Sequence, residues 1–257
     1  LSSGAKVGRP PPAMLRHLSP LVRALGDLVF PPVCLHCGAL CEDSPLRHLC
    51  AVCARLILPV GPPHCRTCGH PFFGEVEGER LCPHCVGLNP AFREGRTATL
   101  FRGPARALII ALKYHHGLHV AGDLETIIRS NDHVTGFVRG SVLVPVPLHP
   151  RKERERLYNQ SHLLAEVLAR SVDGEAEVRP LLRRVVDTRS QTNYDRQTRR
   201  ANLKNAFALA KGVSITPNQH YILVDDVFTT GSTLNSCARE LRRAGGLNLD
   251  VVTFGHG

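Results

Sequence analysis

The chain has 257 residues, room for one substantial domain and a small one. Its 43% hydrophobic and 21% charged composition is that of an ordinary globular protein, and no apolar run approaches the roughly 18 residues of a membrane-spanning helix. The formal charge of +10 favours polyanionic partners, nucleic acid or phosphate-rich small molecules, or simply gives a basic solvated surface.

The opening segment LSSGAKVGRPPPA has no apolar core, so no secretory leader is read there. The only methionine is Met14, and residues 1–13 read as a disordered extension, an expression remnant or a misassigned start. A leading helix is expected up to about residue 27. Together these readings place the protein in the cytoplasm.

Ten cysteines follow a pattern. Cys34 and Cys37 are followed after 12 residues by Cys50 and Cys53, and Cys65 and Cys68 after 13 residues by Cys82 and Cys85. Two residues between thiols let both point at one ion, so each half reads as a four-cysteine structural zinc site. Disulfides or redox chemistry are the alternatives, and the missing leader argues against disulfides. Four thiolates leave no open position for catalysis by the metal. The pairing is sequential or interleaved. Gly38 and Gly69 fall just past the second cysteine of a knuckle, where a positive φ is expected. Cys41 and Cys237 are left over, with Cys41 a substitute ligand at most. His36 and His84 sit mid-knuckle, pointing away from the metal, and are not expected to be ligands. The two halves look like one ribbon duplicated over residues 28–90.

From residue 91 the texture becomes α/β. ARALIIALKYHHG puts Leu108, Ile109 and Leu112 on one helical face with Gly117 as its stop. SVLVPVP (141–147) is a short strand ended by prolines. RKERER (151–156) reads as a solvated helix start with charge pairs three and four residues apart, or as part of an anion site. NQSHLLAEVLARSV is an amphipathic helix with Leu163, Leu164, Val167 and Leu168. YILVDD (221–226) is a strand buried on both faces, STLNSCARELRRAGG a helix with a glycine stop, and LDVVTFG a last strand. Such alternation predicts a parallel sheet flanked by helices, with ligands at the strands' carboxyl ends.

The segment YILVDDVFTTGSTL carries the chemistry. Backbone N–H groups of the turn and the next helix's N-terminus make an anion cradle, with Gly231 allowing close approach and the hydroxyls of Thr229, Thr230, Ser232 and Thr233 adding donors. Asp225 and Asp226 would repel a lone phosphate, yet they suit ribose hydroxyls and a bridging Mg²⁺. A sugar phosphate therefore fits better than a nucleoside triphosphate, and neither a Walker nor a dinucleotide motif is present. The plain alternative is a strand-to-helix turn in which Asp226 and Thr229 serve as caps.

This stretch resembles the phosphoribosyl pyrophosphate (PRPP) loop of type I phosphoribosyltransferases. FPPVCLHCG, LIIALKYHHG, VPVPLHPRKERERLYNQS and TRSQTNYDRQTRRANLKNAF narrow the likeness to the ComF family of competence proteins, from about residue 28 to the end. The resemblance implies a double zinc ribbon followed by a type I phosphoribosyltransferase-like α/β domain over residues 91–257, with Asp225 and Asp226 holding the ribose and Val227, Phe228, Thr229, Thr230, Gly231, Ser232 and Thr233 the phosphate. It implies diphosphate contacts from the Val144–Leu148 region, Pro147 and Leu148 included, and from Lys113, Tyr114, Arg151, Lys152, Arg156, Asn159 and Gln160. A hood over residues 187–202 would bring Gln191, Arg199 and Asn202. His149 and His162 read as ordinary surface histidines. The family glycine before the Asn-Gln pair is Leu157 here, so a changed loop geometry is expected if that glycine has a positive φ. The implied cofactors are zinc and, with PRPP, magnesium. The implied partners are PRPP, single-stranded DNA and proteins of the competence machinery, and the oligomeric state stays open. Two functions are compatible with the match: a phosphoribosyltransferase acting in DNA uptake, or a single-stranded-DNA-binding factor that keeps the site for regulation or structure.

Overall fold

A computed structural model of the chain describes residues 31–74, 80–114, 117–185 and 206–257. The extension and leading helix of residues 1–27, and the hood residues 187–202, lie outside the described residues.

Five strands make a parallel sheet in the spatial order β1 (Gly95–Leu100), β7 (Asn248–His256), β6 (His220–Phe228), β2 (Val142–Pro145), β3 (Glu177–Val178). The central strands are apolar almost throughout because both of their faces are covered. Ile222, Val224, Val252 and Phe254 enter one core cluster, and Tyr221, Leu223, Leu249 and Val251 enter the other. On the first face lie α2 (Gly103–Tyr114), α3 (Ala121–Arg129), α4 (Asp132–Val138) and α6 (Gln160–Ser171), delivering Leu108, Ile109, Leu112, Leu124, Val134, Leu164 and Leu168. On the second lies α7 (Ser232–Arg243), with Leu234, Ala238 and Leu241. Cys237 is buried among them as a free thiol. The short pair β4 (Leu182–Arg184) and β5 (Phe207–Leu209) is antiparallel and closes the same face.

The two cysteine segments repeat one backbone pattern. The N–H of Cys34 donates to Ala39 and that of Gly38 to Cys34; 31 positions later Cys65 donates to His70 and Gly69 to Cys65. Gly38 and Gly69 have φ values of 77° and 75°, as the knuckles require. The two halves then diverge. Cys50 precedes the short helix α1 (Ala51–Arg55), whereas Cys82 and Cys85 lie in a turn.

The ribbons grip the edge strand β1 from opposite faces. The first packs with the α2/α3/α6 core, and the Asp123 carboxylate of α3 accepts from the backbone N–H groups of Arg47 and His48. The second packs with the α7 core, and Thr97 of β1 donates its hydroxyl to the carbonyl of Cys68. A side chain at Gly69 would place Cβ 2.6 Å from the backbone nitrogen of Thr97, so only glycine lets ribbon and strand approach this closely. Among the described residues, no helix is long and apolar enough to cross a membrane.

Candidate functional site

The strand β6 runs two residues beyond the predicted apolar run. Val227 and Phe228 still pair, with Gly255 and His256 of β7, so Asp225 and Asp226 are held inside the ladder at its carboxyl end. Asp226 is buried and Asp225 partly so. The turn then places Gly231, which has no side chain to cap with, at φ 66° as the N-cap of α7. Neither Asp226 nor Thr229 caps the helix; the Ser232 N–H donates to Thr230 Oγ1 at 3.4 Å, a long contact that an anion could replace. Gly231 is tightly specified: a Cβ there would meet the Phe228 ring at 2.5 Å and Leu88 of the ribbon at 3.2 Å. The hydroxyls of Thr230 and Ser232 lie 3.0 Å apart on the rim of the cradle, and Thr229 is exposed.

Two contacts balance the carboxylates. The Lys113 ammonium, at the end of α2, is 2.6 Å from Asp226 Oδ2, and among the described residues this oxygen has no hydrogen-bond partner. The contact is thus an ion pair held by proximity, which leaves the oxygen able to accept elsewhere. Asp225 Oδ1 accepts from the Ser161 hydroxyl at 3.0 Å and from the Asp226 N–H at 2.9 Å. Burial, and then the neighbouring Asp226 charge, push Asp225 up to about 7 in spite of these bonds.

The end of β2 supplies the opposite wall. The N–H of Val146 donates to Val224 at 2.9 Å, which fixes Pro147 and Leu148 beside the acidic pair's strand. Asn159 caps α6 by accepting from the Ser161 N–H and donates to the carbonyl of Val146 at 3.0 Å, tying helix start to strand end. Arg156 donates to Gln160 Oε1 at 2.9 Å and lies over the Tyr114 ring, 5.2 Å from its centroid. Lys113, Tyr114, Arg156, Asn159 and Gln160 are therefore gathered around one edge. A groove beyond it is lined by Pro145, Pro147, Leu148, Asn159, Arg183 and Arg184. The run 150–156 is a helix, α5 (Pro150–Arg156), with no buried residue and an Arg151–Glu155 pair, as its solvated reading expects. His149 is its N-cap, accepting from Arg151. Gln191, Arg199 and Asn202 lie outside the described residues.

Leu157 behaves unexpectedly. Instead of a changed loop, it takes the left-handed conformation itself, φ 67° and ψ −5°, as the C-cap of α5. The turn that suits glycine is kept and the strain is carried by an exposed leucine. Ser161 and Leu88 are site residues the sequence reading passed over. Ser161 follows the Asn-Gln pair directly, but nothing in the string shows that its hydroxyl meets Asp225, 64 positions away.

The cysteines fall into sequential sets, Cys34/Cys37/Cys50/Cys53 and Cys65/Cys68/Cys82/Cys85, with the ligand atoms of each set within 4.8 Å of one another. Sulfur separations of 3.7 Å for Cys37–Cys50 and 3.3 Å for Cys68–Cys82 are far from a disulfide. They sit near the roughly 3.8 Å edge of a ZnS₄ tetrahedron with Zn–S of about 2.3 Å. Both sets fit zinc, with the interleaved pairing ruled out. Cys41 belongs to neither set.

The double zinc ribbon domain family matches residues 25–86. Competence protein F of Haemophilus influenzae is 30% identical over 217 residues, 82% of this chain and 91% of that protein. The chain belongs to the ComF family. The DNA utilization protein YhgH of Escherichia coli K12 is likewise 30% identical, over 79% of this chain and 88% of its own length. Competence protein ComFC of Bacillus subtilis is 25% identical over 79% of this chain and 81% of that one. Among solved structures, a hypoxanthine phosphoribosyltransferase from Staphylococcus aureus aligns with 52% of the ComF-family chain and 62% of its own, at 18% identity and a TM-score of 0.32.

Proposed function

We propose that the chain binds Mg-PRPP at the carboxyl end of β6 and serves DNA uptake as a phosphoribosyltransferase-type protein of the cytoplasm. The observation that carries this reading is the joining of a carboxylate pair to a helix N-terminus, with glycine at its N-cap, by a turn of hydroxyl residues. The 5-phosphate would sit on the N–H groups of residues 229–233. Ribose 2′- and 3′-hydroxyls would donate to Asp225 and Asp226, and the diphosphate would extend toward Pro147, Leu148, Lys113 and Arg156. Magnesium would be held between the substrate's oxygens and the acidic end of the site, screening charge as the bond at C1 loosens. For transfer to an acceptor, the protein would mainly orient the ribose and stabilise the leaving diphosphate.

Thermal unfolding tests the binding. At a ligand concentration of about 100 Kd, binding adds roughly 2.7 kcal/mol, and for a chain of this size that raises Tm by about 5–10 °C. No shift with saturating Mg-PRPP overturns the proposal.

A second reading rests on the names of the relatives, competence and DNA utilization, and on the +10 charge. In it the chain is a non-catalytic single-stranded-DNA-binding factor with the PRPP site kept only for regulation or structure. Binding of single-stranded DNA that falls steeply with added salt supports it. No binding at low salt excludes it.

A further inference from the structure

Beyond the two cysteine sets lies a third group of metal-ligating side chains. His70 follows the second knuckle, His84 lies between Cys82 and Cys85, and His256 ends β7. Their ring centroids are 5.1 Å (His70–His84), 4.8 Å (His70–His256) and 4.9 Å (His84–His256) apart, and each offers a nitrogen within 4.8 Å of the others. We propose that His70, His84 and His256 bind a third divalent cation, of the imidazole-preferring kind that includes zinc, in a site separate from both four-cysteine centres.

The chemistry of His256 supports this. It is 3% exposed, and its Nε2 lies 3.2 Å from the sulfur of Cys68. Cys68 is to be a metal-bound thiolate, an acceptor, so Nε2 carries the proton and donates. The lone pair is thereby left on Nδ1, the tautomer that can ligate. Among the described residues that Nδ1, and the Nδ1 of His70, are buried with no hydrogen-bond partner. Leaving such groups unsatisfied is costly, a cost that a cation would relieve. Around a tetrahedral ion with Zn–N of about 2.0–2.1 Å, ligand nitrogens stand roughly 3.4 Å apart. The rings must close by at most about 1.4 Å from the 4.8 Å bound, a matter of small χ rotations. Three protein ligands also leave a fourth position open, unlike the cysteine sets.

The position gives the ion a structural consequence. Two ligands come from the ribbon and the third from the sheet. The His256 ring stacks on Phe228, centroids 5.3 Å apart and planes 14° from parallel, and Phe228 is the residue against which Gly231 is packed. Binding there would fasten the second ribbon to the floor of the loop at 225–233.

The test counts metal in the full chain, freed of any affinity tag, saturated with zinc and passed through a desalting column. Three equivalents are expected for the wild type and two for His84→Gln and for His70→Gln, each verified as folded by circular dichroism. Either variant alone suffices, so misfolding of one leaves the other decisive. Cobalt(II) gives a second readout: two equivalents bring thiolate-to-metal charge-transfer absorption, and the third adds none. Two equivalents in the wild type, three in both variants, or thiolate absorption on the third equivalent would each overturn the assignment.

Discussion

Leu157 allows a sign to be predicted, not only a size. At an exposed site in ordinary conformation, glycine is less stable than alanine by roughly 0.5–1 kcal/mol, because it loses more backbone entropy on folding. At φ 67° the order should invert. A side chain in the left-handed region costs about 1–2 kcal/mol, which Leu157→Gly removes and Leu157→Ala retains. The side chain is 75% exposed, so its burial contributes about a quarter of the roughly 1.5–3 kcal/mol of a fully buried leucine, and both variants lose that equally. The net expectation is that Leu157→Gly equals or exceeds the wild type by about 0.5 kcal/mol. Leu157→Ala should fall below it by a similar amount, so the gap between the variants is about 1 kcal/mol. Urea unfolding at fixed excess zinc, compared at equal m-values, reads this directly, and Tm should differ by about 2–4 °C. If Leu157→Ala is the more stable of the two, the turn is not left-handed and the argument fails.

Further expectations concern the site and the ribbons. Lys113→Met leaves the Asp226 carboxylate buried beside nothing cationic, and should destabilise by up to about 3 kcal/mol. The double variant with Asp226→Asn should recover most of this in an unfolding cycle, and additive losses would show that the pair is not coupled. Asp225 has its folded-state value raised to about 7, so at neutral pH it carries a proton for part of the time. If it must ionise to accept from ribose, binding of Mg-PRPP releases a proton, and affinity falls as pH drops below about 7, at most tenfold per unit. Calorimetry in buffers of different ionisation heat should show that release in the wild type and not in Asp225→Asn. Equal release in both would exclude Asp225 as its source. The first ribbon has an exposed ligand, Cys37, whereas all four cysteines of the second are buried. A chromogenic chelator should accordingly draw the cysteine-bound zinc in two phases, with Cys37→Ser accelerating only the faster; a single phase would contradict this.

What could be read in advance follows the span of the contacts. The zinc ribbons and the strand-to-helix turn after the acidic pair were legible because each is nearly contiguous: a two-residue gap between thiols, and nine consecutive residues from Asp225 to Thr233. Helices α3 and α4 carry no motif, and only the helical spacing of Leu124, Ile127, Ile128, Val134 and Val138 marks them in the sequence. Lys113–Asp226 and Ser161–Asp225 depend on β6 lying beside β2 and under α2, which the string does not state. The histidine group was beyond reach for the same reason. His84 could be turned away from its cysteines by the geometry of its knuckle, but what it turned toward stands 172 residues later. Leu157 shows the opposite limit: a residue poorly suited to a turn does not abolish the turn when the next two residues, Tyr158 and Asn159, donate to the carbonyls of Leu112 and Val146.

The central claim is that the acidic pair and the loop after it hold a ribose phosphate with magnesium. Calorimetric titration of PRPP into the zinc-loaded chain, with and without magnesium and repeated on Asp225→Asn/Asp226→Asn, tests it most directly. The account predicts saturable binding that needs magnesium and is lost in the double variant. No heat of binding in the folded wild type, or equal binding by the double variant, would contradict it.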